Sequence, residues 1–550
     1  MRQFLRERIE STLRSMEIPD DISPTFEKPR NPEHGDLTTN VAMLAAKQAK
    51  TPPAKLARTI VDRLKLDPAM VDRVDIAGPG FINFHFTDNF YREETGAILR
   101  TGTEFGRSSP ARRMKTQVEF VSANPTGPLT VGHGRGAVYG DTVARLLQWT
   151  GHDVTREYYF NNAGRQMRIL GESVRLRYLE LLGERVEFSD EYYQGEYIRE
   201  IAAGLKAERG ESLRNEPAEG LFKSRAEQVI FEDIKKTLKR LGIVHDVFYN
   251  ENSLYETGKV AEVIAELRTR GLAYDQDGAV WFKTSALGSE QDKVIVKSSG
   301  EPTYRLPDIA YHREKLRRGF DLVIDILGAD HVATYPDVLA GLKALGEDPS
   351  KVKVLIHQFV TILQDGEVVK MSTRKANFIT LDELIDEVGG SSSRAGADVV
   401  RYFFLMRGIN SHLNFDLKLA KEQSEQNPVY YLQYAHARIA SIIRHAEDQG
   451  IEWRNATDLS RLNEPEERSL MKLLVTFPDM VESCASAYEP HRLAEYLQEA
   501  AGAFHAFYHV HRVVTPDATL TASRLALCLA AKTVIANGCA ILGIDAPEKM

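Results

Sequence analysis

Residues 123–141 read ANPTGPLTVGHGRGAVYGD. They follow an alternating, β-prone run at residues 116–121 (TQVEFV) and precede a helix-forming run at residues 137–147. Strand, Gly/Pro-rich turn and helix start, in that order, are how an α/β sheet aims backbone N–H groups at a phosphate. Gly132, Gly134 and Gly136 leave the backbone open to a ligand, and His133 sets an imidazole among them. This predicts a nucleotide site at the end of the first strand of a parallel sheet. Glycines so spaced also serve tight turns, so the turn by itself leaves both readings open.

The sequence on either side divides the 550 residues into three regions. Residues 1–110 mix expected helices at 37–50 and 54–64 with β-like runs at 73–76 and 81–86, an α+β pattern. RSSPARR at residues 107–113 reads as a linker. From Met114 strands and helices alternate, as a doubly wound parallel sheet requires. Charged helical stretches at 166–182 and 223–241 predict a helical insertion at about 165–280. The α/β pattern returns at 279–283 and 322–327 and runs to about residue 418. Residues 419–550 show helical periodicity with almost no strand-like runs, an all-α domain. SSS at 391–393 reads as a short flexible loop rather than a linker.

A hydrophobic content of 43% with 27% charged residues is ordinary for a soluble globular chain. No uninterrupted apolar run approaches the ~18 residues of a membrane span. The start, MRQFLRERIESTLRSM, is amphipathic and lacks the apolar core of a secretory signal, so a cytoplasmic protein without membrane contact is expected. Cys484, Cys528 and Cys539 form no CxxC pair; buried helical thiols are expected, with neither a disulfide framework nor bound zinc. A net charge of −8 means that any RNA must meet local basic patches, with salt-sensitive affinity.

Thr130-Val131-Gly132-His133 resembles the "HIGH" signature of class I aminoacyl-tRNA synthetases. The longer stretches VEFVSANPTGPLTVGHGRGAVYGD (118–141) and REYYFNNAGRQM (156–167) are similar to the bacterial form of the arginyl-tRNA synthetases. KMSTRKANFITLDELIDEVG (370–389) resembles that family's second nucleotide signature. NPVYYLQYAHARI (427–439) and ILGIDAPEKM (541–550) resemble its tRNA-binding helical domain. PRNPEHGDLTTNVAMLAAK (29–47) and GPGFINFHF (78–86) resemble its additional leading domain.

The resemblance implies a Rossmann-like catalytic domain at 111–418, a tRNA-contacting domain at 1–110 and an anticodon-binding domain at 419–550. It implies ligation of L-arginine to tRNA(Arg) at the expense of ATP with Mg2+, by a monomer. His133 and Lys370 would be the catalytic residues, with Pro125, Thr130, Gly132, Gly134, Met371, Ser372 and Arg374 completing the ATP site. Thr130 stands where a first histidine is common, and its hydroxyl can donate one hydrogen bond but carry no charge. Thr373 stands where a second lysine is common, which leaves that charge to Arg374 or Lys375. Glu119, Ser122, Asn124, Tyr304, Asp308 and His331 would form the arginine pocket, and Tyr430, Tyr434 and Arg438 would touch tRNA.

Plainer roles stand beside these. Asp308 before an apolar-periodic run is also a helix cap, and Tyr304 a packing residue. Tyr430, Tyr431, Tyr434, His436, Arg438 and Arg444 are either an RNA face or bundle packing. Arg313, Lys315, Arg317 and Arg318 read as a solvated helix face or as phosphate contacts. A lone KxxxRK is a solvated basic loop by default; the strand-like FVTIL (359–363) and the turn pair Asp365-Gly366 before it argue otherwise. Three rival functions remain: a class I enzyme of other specificity, a paralogue that binds RNA without activating an amino acid, and a dinucleotide oxidoreductase. The last would use Gly134, Gly136, Gly140 and Glu157, whose spacing departs from the usual fingerprint.

Overall fold

The computed structural model describes residues 1–19, 22–29, 31–369, 379–390, 392–454 and 458–550. The run TQVEFV forms the strand Lys115–Glu119, the centre of a five-stranded parallel sheet. Across that sheet the order is Val352–His357, Leu322–Gly328, Lys115–Glu119, Asp153–Phe160, Val247–Asn250. From the central strand the chain crosses through the helix Val131–Trp149 to one neighbour, and returns much later on the other side. Strand order therefore reverses at Lys115–Glu119, which opens a crevice beyond the strands' carboxyl ends.

The helix Val131–Trp149 is buried almost all round, and its glycines permit this. A Cβ on Gly140 would lie 2.3 Å from Cγ of Phe120, so glycine is what lets helix and strand meet. Gly134 corrects an expectation of open backbone. Its missing Cβ would lie 2.7 Å from Leu381 and 2.9 Å from Phe404, so that space is filled by packing; Gly132, by contrast, is exposed.

Two element boundaries also differ from expectation. Residues 37–50 are not one helix: Leu37–Thr39 pairs antiparallel with the strand Phe81–Phe86, and only Val41–Ala45 is helical. Two adjacent threonines suit a pleated strand better than a helix interior. The insertion at 165–280 is two excursions, because Val247–Asn250 joins the central sheet between them. The first holds the helices Gly164–Leu181, Glu196–Arg209 and Lys223–Arg240; the second holds a three-stranded antiparallel sheet at 273–296.

The C-terminal region is a bundle of Pro428–Asp448, Pro465–Val475, Phe477–Ala487, Pro490–Val510 and Ala518–Leu542. Ala518–Leu542 is long and apolar enough by composition to cross a membrane, although Arg524 and Lys532 interrupt its apolar run, and 72% of its apolar window is buried in the protein. All three cysteines are free and buried. Ser392 caps the helix Ser393–Leu405, so the expected 391–393 loop is a short break between helices; Ser391 lies outside the described residues.

Asp141 joins the sheet's first helix to the bundle. Its carboxylate accepts hydrogen bonds from Arg145, Arg156 and Arg401. Arg401, fully buried, also donates to the carbonyls of Leu241 and Leu542. Burial alone would raise the Asp141 carboxyl, but Arg401, Arg145 and Arg156 hold it down at about 2.

Candidate active site

A cavity of about 490 Å³ opens at the carboxyl ends of the parallel strands. Beyond Glu119 the backbone turns sharply, with Val121 at φ 71° and Ser122 at φ 44°. Left-handed conformations are costly for such residues, and hydrogen bonds hold them here. Ser122 Oγ donates to Glu119 at 2.8 Å and accepts from the Tyr159 N–H at 3.1 Å, while Tyr158 OH donates to the Ala123 carbonyl. Asn124 bridges Gln166 and the Asn161 N–H.

The cavity floor is a charged layer. Lys315, fully buried, donates to both Glu119 and Asp325. His312 donates from both ring nitrogens, to the Asp308 carbonyl at 2.7 Å and to Asp325 at 2.8 Å. Burial and Lys315 work against a charged His312, but Asp325 outweighs them and raises its pKa. The expected solvated face of this helix is therefore corrected. Arg313 pairs with Glu262, Glu266 and Glu347, Arg317 with Glu262, and Arg318 with Glu157.

Above this floor, two carboxylates face the cavity with no cation hydrogen-bonded to either among the described residues. Asp308 sits in the first turn of Arg305–Arg317 but does not cap it, Tyr304 holding the N-cap position. Among the described residues its carboxylate has no side-chain partner, and it lines the cavity. Burial raises its carboxyl to about 6; His312 opposes the rise, while Glu251 and Glu119 add to it. Glu251, missed in the sequence, follows the strand Val247–Asn250. It accepts from Tyr159 OH at 2.7 Å and Asn161 Nδ2 at 2.9 Å, and burial raises its pKa too. Glu119, in contrast, is already matched by Lys315. Tyr304, 79% exposed, and His331, also exposed, stand at the cavity's edge.

At the other side lies the N-terminus of Val131–Trp149. The Thr130 N–H donates to His133 Nδ1 at 3.1 Å. That bond assigns the proton of the neutral ring to Nε2, on a ring that lines the cavity. Burial lowers the His133 pKa, so it is a neutral donor at pH 7. Thr130 thus orients the neighbouring imidazole, and its hydroxyl lies 3.2 Å from the same Nδ1. Thr130 also bridges to Thr380, and the Leu381 N–H donates to the Leu129 carbonyl, so the two signature segments meet here. Pro125 is buried in the turn. His357, at the end of the last parallel strand, lines the cavity beside Gly136, its pKa pushed down to about 4 by burial. Lys370, Met371, Ser372 and Arg374 lie outside the described residues.

Two anionic seats and a helix N-terminus with a neutral histidine thus share one cavity, and comparison with known proteins says which family builds it. The profile described as "Arginyl tRNA synthetase N terminal domain" matches residues 3–86. The profile "tRNA synthetases class I (R), catalytic domain" matches residues 95–396. This chain belongs to the arginyl-tRNA synthetase family. The profile "DALR anticodon binding domain" matches residues 432–550. The arginine–tRNA ligase of Desulfotalea psychrophila is 52% identical over 96% of this chain and 94% of its own length. That of Chlorobium phaeovibrioides is 48% identical over 100% of both. The Thermus thermophilus arginyl-tRNA synthetase structure, 23% identical, shares the fold with a TM-score of 0.77 over 100% of both chains.

For a member of this family, the face of the bundle bearing the expected RNA contacts matters. Tyr430 stacks near Tyr434 (6.2 Å between centroids, 7° between planes), and Tyr434 on His505. Arg438, exposed, lies over Tyr508. His436 and Arg444 are turned elsewhere: they bind the carbonyls of Pro547 and Glu548 and so pin the chain's last residues.

Proposed function

We propose that this chain is an arginine–tRNA ligase that activates L-arginine with ATP to arginyl-adenylate and transfers the arginyl group to tRNA(Arg), releasing pyrophosphate and AMP. The observation that carries this reading is the pair Asp308 and Glu251, two carboxylates in the strand-end cavity with no cation hydrogen-bonded to either among the described residues. A planar guanidinium with five donors suits two facing carboxylates. In this reading Tyr304 and His331 close over the side chain, while Glu119, Ser122 and Asn124 shape the end that holds the ammonium and carboxylate.

Activation then needs position and charge rather than a covalent enzyme group. The arginine carboxylate attacks the α-phosphorus of ATP, and pyrophosphate departs. The Nε2–H of His133 donates to phosphate oxygens as charge builds, Pro125, Thr130 and Gly132 flank them at the helix start, and Lys370, with Met371, Ser372 and Arg374, meets the leaving pyrophosphate. Magnesium would accompany ATP and offset the charge of the triphosphate. A hydroxyl at the tRNA end next attacks the adenylate carbonyl and releases AMP. Tyr430, Tyr434 and Arg438 engage the anticodon side of the tRNA. Residues 1–110, 111–418 and 419–550 are the three working parts of a cytoplasmic monomer.

Charging of tRNA with labelled arginine tests the reading, and no label transferred from arginine to tRNA would contradict it. The pocket also predicts a pH dependence. With the Asp308 carboxyl raised to about 6, its negative charge is complete near pH 8 and lost below pH 6. The kcat/KM for arginine accordingly stays level above about pH 7 and falls about tenfold per unit well below pH 6. A level profile down to pH 5 would remove Asp308 from arginine binding.

A further inference from the structure

Among the described residues three side-chain cations are completely buried, and two of them are matched: Lys315 by Glu119 and Asp325, Arg401 by Asp141. The third is Arg135, two residues after His133 on the same helix. Among the described residues no carboxylate pairs with it. Its Nη1 donates to the Gln358 carbonyl at 2.9 Å and its Nη2 to the Gly408 carbonyl at 3.0 Å, while its Nε is buried without a partner. Burial pulls the pKa down to about 10, which still leaves it charged at neutral pH. A buried charge answered only by carbonyl dipoles is costly, so a protein keeps one where the charge is used.

Its surroundings say where. Gln358 follows His357, which lines the cavity, and the Gln358 N–H donates to Ile409. Here the strand Val360–Gln364 begins, pairing with Leu413–Asp416 and turning at Asp365-Gly366 into Glu367–Val368, two residues short of Lys370. Arg135 therefore staples the helix that carries His133 to the root of the hairpin that leads to Lys370. Arg135 stands behind the cavity wall: a Cβ on the next residue, Gly136, would lie 3.0 Å from Nε2 of His357, which lines the cavity.

We propose that Arg135 is a positioning residue for ATP: a fixed, unmatched cation that couples the two nucleotide segments and biases the cavity toward polyphosphate. The inference rests on the ATP site proposed above. A neutral side chain of similar length removes both charge and clamp, while lysine keeps the charge and loses the double clamp.

The test is equilibrium binding of ATP, AMP and adenosine to the unmodified protein, Arg135→Met and Arg135→Lys, with thermal unfolding of each. Arg135→Met is expected to weaken ATP at least about tenfold, AMP less, and adenosine hardly at all, because the loss scales with ligand charge. Arg135→Lys is expected to recover most of the ATP affinity, with kcat for pyrophosphate exchange still reduced. Equal losses for all three ligands would reduce Arg135 to a structural residue and overturn the proposal, as would unchanged ATP binding in folded Arg135→Met. An unmodified protein that binds neither ATP nor adenosine would overturn the ATP site itself.

Discussion

Asp308→Asn raises the KM for arginine by two to three orders of magnitude and leaves the KM for ATP near that of the unmodified enzyme. Removing one partner of a buried ion pair costs about 3–5 kcal/mol. At about 1.4 kcal/mol per tenfold, this corresponds to at least a hundredfold. Asparagine preserves shape, and the helix does not depend on the carboxylate, since Asp308 is not its cap. Glu251 cannot make up the loss, because Tyr159 and Asn161 already hold both its oxygens and a guanidinium would then meet one formal charge instead of two. Pyrophosphate exchange at varied arginine and fixed ATP checks this. An unchanged KM for arginine would move the guanidinium seat elsewhere.

His133→Ala lowers kcat for activation by at least about tenfold, the low end of what a lost transition-state donor costs. The effect belongs in kcat because, in the proposed mechanism, the Nε2–H meets charge that develops only as pyrophosphate departs. Since the ring is neutral, His133→Asn, which retains an N–H donor, recovers part of the rate, and kcat of the unmodified enzyme shows no inflection near the ordinary histidine pKa. Exchange kinetics on the three proteins measure it. Undiminished turnover in His133→Ala would take His133 out of the mechanism.

The fold was legible wherever the signal was local. TQVEFV alternates, the glycine-rich segment breaks it, and a helix follows, so the order was met; the helix Val131–Trp149 nevertheless starts six residues before the expected run and takes Gly132, Gly134 and Gly136 out of the turn. Residues 37–50 misled because their apolar spacing suits a helix, while pairing with Phe81–Phe86 made the first three a strand. Val247–Asn250 has only four residues, too few for a clear period, and its place in the sheet comes from pairing with Asp153–Phe160.

The site was half legible for the same reason. Asp308 and His133 sit beside recognisable local patterns, whereas Glu251 merely follows a short strand and His357 ends a longer one. The rule that ligands meet parallel strands at their carboxyl ends could have found both, had the sheet order been known. Lys315 shows the limit most clearly. In sequence it is one of four basic residues on a helix, and only the fold brings Glu119 and Asp325 from two separate strands to meet it.

The central claim is that the cavity selects arginine and joins it to AMP. ATP–pyrophosphate exchange, run with arginine and with each other amino acid, with and without total tRNA, tests this most directly. The account predicts exchange with arginine alone, appearing or rising when tRNA is added. No exchange with any amino acid, from folded protein that still binds tRNA, would contradict it and leave an RNA-binding protein without synthetase activity.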